Sequence, residues 1–87
     1  MPSVYNRLPR KIAVIGHRTA YIHLCEHCGV DPHNNDLFCR VDTPEDALNQ
    51  EFIRVIEIEG AKETHDYNII KSLAMMRIKN ETTASAN

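Results

Sequence analysis

The sequence contains no run of apolar residues that approaches the ~20 needed for a membrane-spanning helix. Met1–Arg10 also lacks the apolar core of a secretory signal peptide. The three cysteines are an odd number, which disfavours the paired disulfide framework of a small secreted protein. Together these absences predict a cytoplasmic protein that makes no membrane contact.

The sequence also has no large excess of positive or of negative charge. Lys and Arg number 10 against 12 Asp and Glu, so the net charge is −2 with neutral histidines. No overall field would therefore attract the chain to nucleic acid or anionic lipid. Its 87 residues allow one small domain. We predict an irregular N-terminal arm at 1–10, one α/β domain at 11–79 and a flexible tail at 80–87.

The common motifs of nucleotide and catalytic sites are absent. The chain has neither the phosphate loop G-x-x-x-x-G-K-[ST] nor the dinucleotide motif G-x-G-x-x-G. No serine, histidine and aspartate have a spacing that proposes a catalytic triad. A thiol at Cys25 would lie in a predicted helix, where burial raises the pKa instead of activating the nucleophile. The sequence leaves enzymatic activity open and favours a non-catalytic role.

Apolar patterns predict the first two structural elements. Lys11–Gly16 is a short continuous apolar run, which is typical of a strand buried on both faces of a parallel sheet. His17–Gly29 follows with the periodicity of an amphipathic helix. Gly29 suits the left-handed position after the helix, and Val30 can supply the apolar contact of a Schellman motif.

Four further elements follow. Leu37–Val41 alternates like a half-exposed edge strand, and Thr43-Pro44 begins a short helix that reaches about Gln50. Phe52–Ile58 carries apolar residues on both faces, as a central strand does. The last helix is predicted at 65–78, with Met75 outside an apolar arc that contains Ile69, Ile70, Leu73, Ala74 and Met76.

This βαβαβα order predicts an α/β fold with a small three-stranded parallel sheet. Placing the half-polar second strand at an edge gives the strand order 2-1-3, with helices on both faces of the sheet.

The densest group of metal-ligating side chains lies between His23 and Cys39. Its pattern Cys25-x2-Cys28-x4-His33-x5-Cys39 resembles the CCHC zinc knuckle, Cys-x2-Cys-x4-His-x4-Cys. Thiolate and imidazole groups are the usual ligands of tetrahedral zinc. The resemblance implies a zinc-dependent nucleic-acid-binding module in which zinc is held by Cys25, Cys28, His33 and Cys39.

The helical periodicity favours a different interpretation without a cofactor. In a continuous helix, Cys25 and Cys28 face the core as small apolar residues. His23 and His27 then stand one turn apart on the solvent face, where a divalent ion could bind from outside. The cysteine pair and the histidine pair point in opposite directions and cannot share one coordination shell.

A ligand site is expected where the strand order reverses, beyond the carboxyl ends of strands 1 and 3. The free N–H groups at the start of the first helix favour an anion there. Arg18 could add a bidentate contact to phosphate. The candidate anion or nucleotide site consists of Gly16, His17, Arg18, Thr19 and Gly60.

The function that the sequence favours is protein binding. Met75, outside the apolar arc, indicates more apolar surface than one small core absorbs. We expect a small regulatory protein, by analogy with compact accessory and phage-encoded regulators, that contacts another protein or itself through the last helix or an edge strand. The zinc knuckle and the anion site remain alternative functions.

Overall fold

The computed structural model describes residues 10–48 and 50–78. The predicted tail, and the predicted arm except for Arg10, lie outside the described residues. Strands and helices alternate as predicted: β1 at Lys11–Ile15, α1 at Arg18–Cys28, β2 at Phe38–Arg40, α2 at Pro44–Leu48, β3 at Phe52–Glu57, a 3₁₀ turn at Ala61–Glu63 and α3 at Tyr67–Met76.

The three strands form one parallel sheet in the order β2-β1-β3, which confirms the predicted topology. β1 lies in the middle, and its residues Ala13, Val14 and Ile15 are fully buried. The central position expected for β3 from its apolar pattern is wrong, because β3 is an edge strand. Its apolar residues on both faces reflect helices above and below the sheet, since Val55 packs on one face and Ile56 on the other.

Helices cover both faces of the sheet, as predicted. On one face, Tyr21 and Cys25 of α1 pack against Val14 and Phe38. On the other face, α2 and α3 contribute buried residues to a second core, which consists of Ala13, Ile15, Val41, Ala47, Phe52, Ala61, Ile70 and Ala74.

The C-terminus of α1 is the Schellman motif that the sequence predicts. Gly29 adopts a left-handed conformation with φ 75°. The Val30 N–H donates to the Cys25 carbonyl at 2.9 Å, and the Gly29 N–H donates to the Glu26 carbonyl at 3.1 Å. The prediction that Cys28 faces the core is wrong, because Cys28 is exposed at the end of the helix. Val30, beyond the turn, packs against the core instead.

The start of α2 follows its sequence signal. The Asp46 carboxylate accepts hydrogen bonds from the backbone N–H groups of Asp42 and Thr43, both at 2.9 Å. Both N–H groups precede the helix, and the Asp46 side chain reaches back to them as the third helical residue of a capping box does. The helix is only five residues long and ends at Leu48.

The apolar arc predicted for α3 is too wide. Ile70 and Ala74 are buried, whereas Ile69 and Met76 are exposed together with Met75. α3 therefore rests on the sheet through a narrow stripe.

Within residues 10–48 and 50–78, none of the helices combines the length and the apolar character that crossing a bilayer requires.

Candidate functional site

The crevice predicted between the carboxyl ends of β1 and β3 is closed by direct contacts. The His17 N–H donates to the Glu59 carbonyl at 2.8 Å, which joins the two loops. The His17 ring lies against Gly60, where an added Cβ would overlap it. His17 Nε2 also lies 3.1 Å from Glu63 Oε1. A histidine ring and a carboxylate thus occupy the position expected for an anion.

Only three of the five predicted anion-site residues meet there. Gly16, His17 and Gly60 form the closed junction between the loops, while Arg18 and Thr19 are exposed in the first turn of α1. Beside the junction, a depression of about 350 Å³ is lined by Glu57, Ile58, Gly60, Ala61, Lys62 and Glu63. Its two carboxylates outnumber its one amine, which disfavours an anionic ligand at this position.

Sequence reasoning missed Arg40, the last residue of β2. Its Nε donates to the Gly16 carbonyl at 3.0 Å, and its Nη2 donates to Asp42 Oδ1 at 3.2 Å. These bonds fix the guanidinium at the carboxyl end of the sheet, on the side of β1 away from β3. The alternation of Leu37–Val41 puts Arg40 on the same face of the strand as Phe38, and this pattern is the sequence signal that could have identified Arg40.

The loop between α1 and β2 is ordered by two side chains. Asp31 Oδ1 accepts the His33 N–H at 2.9 Å. Asn35 Oδ1 accepts the N–H groups of Leu37 and Phe38 at 2.9 Å and 2.7 Å, and Asn35 Nδ2 donates to the Asp31 carbonyl at 2.7 Å. These local bonds fix the irregular loop and hold His33 near the start of α1.

The four residues of the zinc-knuckle pattern do not come together. Cys25 is buried in the core beneath α1, whereas Cys39 packs against the core on the opposite face of the sheet. Cys28 and His33 are exposed. Cys39 Sγ instead accepts a hydrogen bond from Gln50 Nε2 at 3.1 Å, and burial raises the pKa of its thiol.

No group of three or more His, Cys, Asp or Glu side chains with a metal-binding arrangement is found among the described residues. His23 and His27 are both exposed on α1, as the helical interpretation predicts.

A polar cluster ties α3 to the end of β3. The Tyr67 hydroxyl donates to Glu57 Oε2 at 2.8 Å, and Lys71 Nζ lies 3.0 Å from the same oxygen. The hydrogen bonds from Lys71 and Tyr67 lower the pKa of Glu57, and the Glu57 carboxylate raises the pKa of Lys71. All three side chains hold one another, so the cluster serves as a structural link.

Exposed apolar residues gather at the opposite end of the sheet, where the strands begin. The backbone there is joined by a hydrogen bond from the Phe52 N–H to the Arg77 carbonyl at 3.0 Å and by one from Arg77 Nε to the Gln50 carbonyl at 3.1 Å. These bonds bring the end of α2, the start of β3 and the end of α3 together. We call the exposed residues on these segments the apolar end: Leu48, Ile53, Met75 and Met76.

No family model, curated protein or solved structure matches the chain. The functional argument therefore depends on the geometry of the domain itself.

Proposed function

We propose that the protein is a non-catalytic binding protein that contacts another protein, in the first instance a second copy of itself, through the apolar end. The observation that carries the proposal is the exposure of four large apolar side chains on adjoining segments. Met76 is 77% exposed, Ile53 54%, Met75 51% and Leu48 45%. Large exposed apolar residues on adjoining segments of a small domain are typical of an interaction surface.

The composition of the apolar end supports a protein partner. Methionine is unbranched and polarisable, so Met75 and Met76 can adapt to an apolar surface of irregular shape. Ile69 continues this surface along α3, because it lies seven residues before Met76 and therefore on the same flank of the helix.

The edge of β3 adds a second means of contact. Among the residues that the structure describes, the outer side of β3 is paired only at Phe52, which forms an isolated bridge with Ile78. An exposed strand edge can pair with a strand of another chain. Ile53, beside this bridge, would then be covered together with the backbone.

We expect a weak to moderate self-association. Burying a large apolar side chain contributes about 1.5–3 kcal/mol relative to full exposure. Association itself costs about 4–15 kcal/mol. The partly exposed side chains of the two copies contribute an amount of the same order as this cost, so we expect a dissociation constant no tighter than the micromolar to millimolar range.

Sedimentation equilibrium over a concentration series tests the proposal, with Met76→Lys as the variant. In a symmetric dimer the substitution acts twice. Losing about 1.5 kcal/mol at each copy should weaken self-association about 100-fold. Met76 is the most exposed of these residues, so its replacement should leave the folded domain intact.

His23→Lys is the matched control, because it adds the same charge to an exposed position on α1, across the sheet from α3. It should leave self-association unchanged. A wild-type protein that stays monomeric at the highest concentration would contradict the proposal, as would equal weakening by both variants.

The three free thiols fit a reducing environment, and a cytoplasmic location is part of this proposal.

A further inference from the structure

A cleft of about 290 Å³ lies at the carboxyl end of the sheet, on the α1 face. It is separate from the closed junction between β1 and β3. The first residue of α1, the loop after α1 and the last residue of β2 form it, and its lining consists of Arg18, Tyr21, Ile22, Pro32, His33 and Arg40.

The charged groups that line this cleft are all basic. Two arginines and one histidine line it, and no acidic residue is among the lining residues. Arg40 is held in place by the Gly16 carbonyl and by Asp42, and its side chain is still 25% exposed. Asp42 offsets part of the positive charge of Arg40.

Arg18 differs from Arg40 in having no charged partner among the described residues. Within residues 10–48 and 50–78, the Arg18 guanidinium has no ion pair or side-chain hydrogen bond, and the same holds for the His33 ring. An arginine with a free planar fork beside a second, fixed arginine is suited to a doubly charged oxyanion.

We propose that this cleft binds the phosphate group of a small phosphate monoester. Arg18 and Arg40 would contact the phosphate oxygens, and His33 would donate a further hydrogen bond. The organic part of the ligand would contact an apolar wall that consists of Tyr21, Ile22 and Pro32. The volume of the cleft suits a phosphate with a substituent about the size of a phenyl ring. The site is independent of the apolar end, which lies where the strands begin.

Titration of the ¹⁵N-labelled protein with phenyl phosphate, and separately with inorganic phosphate, tests the proposal. We expect saturable amide shifts at Arg18, His33 and Arg40, with tighter binding of phenyl phosphate because it also contacts the apolar wall. Arg18→Gln should weaken binding about 10- to 100-fold, through the loss of charge-assisted hydrogen bonds. Arg18 is exposed and has no partner among the described residues, so this variant should fold normally.

Arg54→Gln is the matched control, since it removes the same charge from an exposed position on β3 outside the cleft. It should change binding less than twofold. Three results would each overturn the proposal: no saturable shifts with either probe, equal weakening by the two variants, or shifts centred on Lys62 and Gly60 instead of the cleft. Equal affinity for the two probes would show that the apolar wall plays no part and would reduce the site to one for free phosphate.

Discussion

Replacing Gly16 with alanine tests the close approach of the β1–α1 loop to the end of β3. A Cβ at Gly16 would overlap the Ile58 side chain and lie 2.8 Å from the Glu59 carbonyl oxygen. That oxygen accepts the His17 N–H, so the loops cannot separate without losing this hydrogen bond. Overpacking costs about 1–3 kcal/mol, and the hydrogen bond contributes about 1 kcal/mol. The substitution should therefore lower the free energy of unfolding by about 2–4 kcal/mol.

Gly29→Ala provides the comparison for this prediction. Gly29 is left-handed with φ 75°, but nothing lies within 4 Å of an added Cβ. Only the backbone strain remains, about 1–2 kcal/mol. Urea denaturation followed by circular dichroism gives both free energies. If Gly16→Ala destabilises the protein no more than Gly29→Ala does, the two loops do not make the contact described here.

Two further predictions concern the thiols and the polar cluster. Ellman's reagent should label Cys28 of the native protein fastest, because Cys28 is exposed, Cys39 is half-buried and Cys25 is buried. Cys39 should react more slowly, and Cys25 only on unfolding. Cys28→Ser should remove the fast phase, whereas protection of all three thiols until a chelator is added would support the zinc knuckle instead. The pKa of Glu57 is lowered from its ordinary value of 4.5, so the ionised carboxylate stabilises the folded protein. This stabilisation is present above pH 4.5 and is lost as the pH falls through the lower pKa of the folded state. Glu57→Gln should therefore destabilise the protein at neutral pH and have less effect in acid. The pKa of Lys71 is raised, so its stabilising contribution is present below its ordinary value of 10.5 and is lost as the pH rises through the higher pKa of the folded state. Urea titrations that show no pH dependence of the Glu57→Gln effect would contradict both assignments.

The strand order was predictable because local and global signals agree. The half-polar pattern of β2 places that strand at an edge, and the continuous apolar run of β1 suits the middle of the sheet. The equally apolar run of β3 shows that this pattern alone does not separate a central strand from an edge strand. Gly29 and the Thr43-Pro44 pair gave the ends of their helices through backbone chemistry that needs no tertiary information.

The exposure of α3 was not predictable from its own sequence. A helical wheel gives the direction of each side chain but not the width of the surface that its neighbours cover. Ile69 and Met76 lie on the apolar side of the wheel, yet both are exposed in the folded domain. Cys28 lost its expected core position for a related reason, since the chain turns at Gly29 and Val30 packs against the core instead.

The basic cleft was only partly predictable. Arg18 followed from its place after β1, but Arg40 and His33 depend on an irregular loop. That loop is set by hydrogen bonds that the side chains of Asp31 and Asn35 accept from backbone N–H groups, and these bonds have no periodic pattern. The predicted crevice was occupied because His17, expected as a ligand contact, packs against Gly60.

The central claim is that the apolar end forms an interface, and amide chemical shifts measured from micromolar to millimolar protein test it most directly. We predict concentration-dependent shifts that are confined to the end of α2, the start of β3 and the last turn of α3, with α1 unchanged. Spectra that are identical across the series, or shifts centred on α1, would contradict the claim.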